Sequence, residues 1–162
     1  MLLYIVRHAW AKERDALQFP DDALRPLTKD GRTRFGKLAE KLAERGVSPE
    51  IIATSPFVRC RRTAEILAEH VAGRPHVVDL QALTPDSDLE ALIAWTRQQG
   101  KATVAWVGHA PDVSDLTARL SGGDGTAIRF AKGAVAAIEF AGEIGVGQGE
   151  LLWLLTAKML GR

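Results

Sequence analysis

Five apolar residues, Leu2 to Val6, run unbroken into Arg7-His8. A strand with no polar residue on either side has to bury both faces. That excludes a half-solvated antiparallel strand and points to the interior of a parallel sheet covered by helices on both sides. A second run, Ala102 to Val107, apolar but for Thr103, ends at Gly108-His109-Ala110-Pro111. Ile51-Ile52-Ala53 and His76-Val77-Val78-Asp79 read as shorter strands. Helical spacing fills the gaps. Thr28 caps a helix that buries Phe35, Leu38, Ala39 and Leu42 and ends at Gly46. Thr54-Ser55-Pro56 opens a second, with Phe57, Cys60, Ala64, Leu67 and Val71 on its apolar face and Gly73 as its stop. Ser87-Asp88-Leu89-Glu90 matches a capping box ahead of Leu92, Ile93 and Thr96, with Gly100 at the end. Pro111-Asp112 start a fourth helix carrying Val113, Leu116 and Leu120, closed by Gly122-Gly123. Two strands follow, near 134–140 and 150–157, joined by a glycine-rich turn. The order predicts a three-layer α/β/α sandwich with a mostly parallel central sheet and an antiparallel C-terminal strand, as one domain over 1–162.

Charge and composition narrow the function. The net charge is +1, so there is no broad field for nucleic acid or an anionic membrane, and any affinity for phosphate has to be local. Cys60 is the single cysteine, which forbids an internal disulfide and suits a reducing compartment. The N-terminal apolar run is shorter than a signal h-region and has no basic segment before it. Nothing reaches transmembrane length, and the expected location is the cytoplasm.

Chemistry concentrates where the long strands stop. Both end in a histidine, at His8 and His109, and parallel strands would bring both to one sheet edge, the edge where open α/β sheets bind ligands. The strand at 51–53 ends there too, and Arg59 lies in the first turn of the helix that follows. Two imidazoles and the guanidiniums of Arg7 and Arg59 near a helix start make an anion site, and phosphate is the anion best matched by paired arginines. One histidine can attack phosphorus while the arginines and the other histidine balance charge on the equatorial oxygens. Water then cleaves the phosphoenzyme. Side chains supply the cations, so this chemistry calls for no cofactor or metal, and the sequence holds no H-E-x-x-H or paired-cysteine motif.

Three segments resemble motifs of the histidine phosphatase (phosphoglycerate mutase-like) superfamily. Leu3-Tyr4-Ile5-Val6-Arg7-His8 is similar to its Arg-His signature, Ser55-Pro56-Phe57-Val58-Arg59-Cys60-Arg61-Arg62-Thr63-Ala64 to S-P-x-x-R-A-x-x-T-A, and Val107-Gly108-His109-Ala110-Pro111 to its G-H-x-P turn. Arg25-Pro26-Leu27-Thr28 with Gly31 matches the lead-in to the first helix. The short chain, Leu83-Thr84-Pro85 and Lys132-Gly133-Ala134-Val135-Ala136 look like the SixA-type phosphohistidine phosphatases. The resemblance implies a phosphoglycerate mutase-like fold. It makes His8 the nucleophile, Arg7 and Arg59 phosphate clamps and His109 the second pocket histidine, with the Ala110 amide facing phosphate.

Two departures stand out. Ala9 replaces the usual glycine after the first histidine, and Trp10 stands where that pattern has an acidic or small polar residue, placed to stack on a substrate ring or narrow the entrance. The interval from Asp79 to Leu89 is a short loop, where larger relatives insert a lid carrying a glutamate proton donor. Glu13, Asp15, Asp86 and Asp88 are the nearest carboxylates, with Asp88 placed for duty at the helix start. A phosphoramidate needs little help from an acid, because its ring nitrogen protonates readily. Cys60 falls on an apolar helix face, which suits a buried structural thiol. Gly145-Val146-Gly147-Gln148-Gly149 precedes no helix and reads as a hairpin turn.

The expectation is a metal-independent phosphatase acting through a phosphohistidine on His8. Its partner would be a phosphohistidine-bearing signalling or phosphotransfer protein, with no nucleic acid and no membrane involved. One rival keeps the chemistry but takes a small phosphorylated metabolite. A second is a phosphate-reading binding module with little turnover. A reader of phosphate needs only the arginines, so the two histidines favour an enzyme.

Overall fold

The structure, a computed structural model, describes residues 1–123 and 127–161. Six strands, β1 (Leu2–Arg7), β2 (Ile51–Thr54), β3 (His76–Asp79), β4 (Thr103–Gly108), β5 (Val135–Phe140) and β6 (Gly149–Leu155), form one sheet in the order β3-β2-β4-β1-β5-β6. The first four are mutually parallel, β5 runs against β1, and β6 runs against β5. Four helices connect them: α1 (Lys29–Glu44), α2 (Val58–His70), α3 (Leu89–Gln99) and α4 (Asp112–Leu120). The βαβαβαβα-ββ order expected from the pattern is the one observed, and the fold is the phosphoglycerate mutase-like α/β architecture.

The strand alternation of β1 divides the core. Tyr4 and Val6 face a cluster with Phe35, Leu38 and Leu42 of α1 and Ala64 and Leu67 of α2. Leu3 and Ile5 face the opposite cluster, with Trp106, with Leu92 of α3 and with Val113 and Leu116 of α4. Both sets are almost fully buried, which is why β1 tolerates no polar residue before Arg7. Each leucine or isoleucine so buried contributes about 1.5–3 kcal/mol relative to exposure. Trp106 keeps its one polar atom satisfied by donating Nε1–H to Thr96 Oγ1 at 3.1 Å.

Several local expectations need correcting. Thr28 does cap α1, accepting from the Gly31 amide at 2.8 Å. The cap of α3 is Asp88, which accepts from the Ala91 amide, and Ser87 instead donates its hydroxyl to Asp112 Oδ2 at 3.1 Å. A carboxylate one residue nearer the first turn meets its orphan amides better than the hydroxyl does. Helix α2 begins at Val58, because Ser55-Pro56-Phe57 form a turn in which Ser55 Oγ accepts from the Phe57 amide. Trp10 does not line the substrate side. Its ring packs under Gly133 and Phe35, with the Arg34 guanidinium 4.1 Å from its centroid. The indole braces the 10–28 segment against α1. There the Thr28 amide donates to the Trp10 carbonyl at 2.9 Å, and a Cβ at Gly31 would collide with that carbonyl.

Among the described residues no helix is long and apolar enough to cross a membrane.

Candidate active site

Register places the two histidines side by side. Strands β1 and β4 are parallel and pair Arg7 with Gly108, so the next residue of each, His8 and His109, leaves the same edge of adjacent strands. Their ring centroids lie 5.5 Å apart. The His8 amide donates to the Gly108 carbonyl and the Ser55 amide to Val107, which stitches three strand ends together at 3.0 Å each. Arg59 reaches the same place from the first turn of α2. Arg7, His8, Arg59 and His109 thus line one cleft of about 510 Å³, with Ala110 on its wall. Glu13, Asp22, Arg25, Asp86 and Asp112 line it too.

His8 is locked by its neighbour. Its Nδ1 lies 2.7 Å from the Ala9 carbonyl, which can only accept, so Nδ1 carries the proton and Nε2 the lone pair. Burial, reinforced by the charges of Arg59 and Arg7, pushes its pKa down to about 3, so the ring is neutral at physiological pH. The Ala9 methyl sits fully buried, and the Ala9 amide donates to Thr63 Oγ1 at 3.0 Å, while Thr63 donates to the Arg59 carbonyl. One residue of α2 therefore ties the His8 turn to the Arg59 turn. His109 accepts at Nδ1 from Arg59 Nη2 at 3.4 Å and donates Nε2–H to Ser55 Oγ at 2.9 Å. Burial, and then the Arg59 charge, lower its pKa to about 4.

The guanidiniums are held by backbone and carboxylate, not left loose. Arg7 Nη1 donates to the Phe130 carbonyl at 2.8 Å. Arg59 Nη1 donates to the Asp22 carbonyl at 2.8 Å and Nη2 to Asp22 Oδ2 at 3.0 Å. The other carboxylate oxygen of Asp22 accepts from Arg25 Nε at 2.8 Å. Partial burial opposes ionisation of Asp22, but the bonds and charges of Arg25 and Arg59 outweigh it and hold its pKa below the ordinary range. The buried Nε–H groups of Arg7 and of Arg59 have no hydrogen-bond partner among the described residues. Two clamped guanidiniums on the wall of one cleft suit an anion with several acceptor oxygens.

Sequence reasoning missed Asp22 and gave Arg25 no place in the site. Their signal was the long polar segment between β1 and α1, since such segments in compact domains carry function. Two of the suggested carboxylates are spent locally: Asp15 Oδ1 accepts from the Leu17 and Gln18 amides, and Asp88 caps α3. Glu13 and Asp86 line the cleft. Cys60 is buried with Sγ 3.4 Å from His109 Nε2, and burial pushes its thiol up to about 12. That makes it packing, not a nucleophile. Among the described residues no group of three or more His, Cys, Asp or Glu side chains is arranged to hold a metal ion.

Comparison with known proteins places the chain in a family. The histidine phosphatase superfamily (branch 1) model matches residues 3–83. The chain is 30% identical over 141 residues to the phosphohistidine phosphatase SixA of Escherichia coli K12, covering 85% of this chain and 84% of that protein. It is 38% identical over 126 residues to an uncharacterised protein of Picosynechococcus sp., covering 76% and 74%. A structure of the protein histidine phosphatase SixA complexed with tungstate superposes with a TM-score of 0.85 at 28% identity, covering 99% of both chains. The chain belongs to the histidine phosphatase superfamily. Within it, the chain is a SixA-like phosphatase.

The two lowered histidines set an acid limit on stability. In the unfolded chain each titrates near the ordinary value of about 6.5. Between there and the folded values of about 4 and about 3, the unfolded state binds more protons. Stability is therefore fully present above pH 6.5 and is lost as pH falls, by up to about 1.4 kcal/mol per pH unit for each histidine. Urea midpoints measured from pH 7.5 to 4.5 should fall steadily, and the slope should shrink in His109→Asn. A midpoint flat across that range would show that the histidines are not held neutral.

Proposed function

We propose that the protein is a phosphohistidine phosphatase working through covalent phosphorylation of His8. The observation that carries the reading is the bond from His8 Nδ1–H to the Ala9 carbonyl, because it leaves the lone pair on Nε2 of a neutral ring that lines the same cleft as Arg7 and Arg59. In the first step Nε2 attacks phosphorus, the P–N bond of the substrate breaks, and the leaving imidazole nitrogen takes a proton from water in the open cleft. The guanidiniums of Arg7 and Arg59 line the cleft and balance charge on the equatorial oxygens, and His109 stands beside them to share that charge. The Ala110 amide lies at the same wall. In the second step water attacks the phosphorylated His8, releasing orthophosphate and restoring the neutral ring. Asp22 never needs to move a proton, since two arginines fix it as a carboxylate that positions Arg59. The likeness to the phosphohistidine phosphatase SixA supports the substrate class, and the single cysteine suits a reducing, cytoplasmic setting.

A second reading takes a small phosphomonoester as substrate. It is favoured by Glu13 and Asp86, which line the cleft and make no ion pair with another described residue. An alkyl oxygen leaving group needs such a donor, whereas an imidazole does not. The test is kcat/KM for phosphohistidine, an aryl phosphate and a sugar phosphate in wild type, Glu13→Gln and Asp86→Asn. General acids typically contribute about 10²–10⁴-fold. Phosphohistidine should be the best substrate, and neither variant should lose more than about threefold on it. A carboxylate variant that falls 10²-fold or more on all three substrates would establish a dedicated acid and make the phosphomonoester reading the better one.

A further inference from the structure

We propose that the segment between β1 and α1 carries a docking surface for a protein substrate whose phosphohistidine is flanked by apolar and acidic side chains. The proposal rests on the phosphohistidine reading above and adds how a partner protein is selected. Leu17 is 95% exposed and Leu24 62% exposed, which places them first and third among the exposed large apolar side chains of the described residues. Single exposed leucines need no explanation. These two belong to one segment whose flanking residues, Lys12, Arg14, Asp22 and Arg25, line the catalytic cleft. Leu24 lies between the cleft-lining Asp22 and Arg25, and Leu17 follows the cleft-lining Arg14 by three residues.

The segment is not a slack loop. Asp15 Oδ1 accepts from the Leu17 and Gln18 amides, the Phe19 amide donates to the Asp15 carbonyl at 2.7 Å, and Lys12 Nζ lies 5.8 Å from the Phe19 ring centroid. That turn holds Leu17 outward. Leu24 ends a single 3-10 turn, Asp22–Leu24, capped by Asp21 and pinned to α2 through the two bonds from Arg59 to Asp22. A rigid apolar point loses little entropy when a partner covers it. The charge of the cleft selects the partner's chemistry. Lys12, Arg14 and Lys132 line the cleft and form no ion pair with any described residue. Glu13 and Asp86 line it unpaired as well, while Asp112 is bonded to Ser87, so three unpaired cations stand against two carboxylates, and acidic side chains beside the phosphohistidine would answer that excess.

The test compares free phosphohistidine with two phosphohistidine peptides of equal length, one flanked by Leu and Glu and one by Ser and Lys. Wild type should hydrolyse the Leu/Glu peptide with at least a fivefold advantage in kcat/KM over the Ser/Lys peptide, expressed in KM. In Leu17→Ser/Leu24→Ser that advantage should fall below twofold, an effect of the size expected for uncovering a half-buried leucine, while free phosphohistidine is hydrolysed at the wild-type rate. An equal loss on free phosphohistidine, or a flank preference unchanged in the variant, would overturn the docking surface alone. If no phosphohistidine compound is hydrolysed while an aryl phosphate is, the functional reading falls and the docking proposal with it.

Discussion

His8→Ala should reduce turnover of phosphohistidine and of aryl phosphate to background, a loss of at least about 10³-fold, with the fold retained by circular dichroism. The size follows from the role. Among the described residues no other imidazole nitrogen is free in the cleft, because His109 Nδ1 faces Arg59 and its Nε2 is bonded to Ser55. Removing a nucleophile removes the whole covalent route, leaving only binding and charge stabilisation. The substitution also deletes the bond to the Ala9 carbonyl, whose hydrogen-bonding share of stability is about 1 kcal/mol, so unfolding cannot account for a loss of that size. Activity within tenfold of wild type would place the nucleophile elsewhere. His109→Ala should be damaging but less so, because it removes shared charge without removing the attacking atom.

Arg59→Ala is the second large effect. The side chain is 2% exposed and organises three groups together: the Asp22 carboxylate, the His109 ring and the anion pocket. Its loss should cost about 10²–10³-fold in kcat/KM on every substrate, the range found when one positioned transition-state donor is removed. It should also release Asp22 toward an ordinary carboxylate pKa, which introduces mobile negative charge where phosphate binds. Arg59→Lys keeps the charge but cannot bond the Asp22 carbonyl and carboxylate together while leaving a third N–H for phosphate. It should therefore recover only part of the loss. A variant that failed on one substrate and not on the others would show that Arg59 reads the leaving group instead of the transferred phosphoryl group. Kinetic parameters for the three substrates in both variants decide this.

Much of this was legible before any coordinates, and the reason is the strength of the buried-strand signal. Leu2 to Val6 is a continuous apolar run and Ala102 to Val107 is apolar but for Thr103, so the strands, their burial and the edge at which they end follow from the pattern alone. Parallel pairing then forces His8 beside His109. What the pattern could not reach depends on non-local contacts. Asp22 clamps Arg59 across 37 residues of chain, and nothing in the run Pro20-Asp21-Asp22 announces that a polar loop residue is a structural counterion. The direction of Trp10 was hidden for the same reason. Its neighbours are Gly133 and Arg34, and only the folded chain shows that the indole fills the space above a glycine with φ +72° and leaves the cleft open. The cap of α3 was a competition between adjacent residues, Ser87 and Asp88, which Asp112 decides by taking the serine hydroxyl.

The most direct measurement of the central claim is to trap the intermediate. Wild-type enzyme mixed with excess phosphohistidine protein or aryl phosphate, quenched in base within milliseconds and digested, should yield one acid-labile, base-stable phosphopeptide carrying His8. Phosphorus NMR or fragmentation should place the phosphoryl group on Nε2, since Nδ1 is committed to the Ala9 carbonyl. Phosphate found on Nδ1, on another side chain, or on no residue despite turnover would contradict the account.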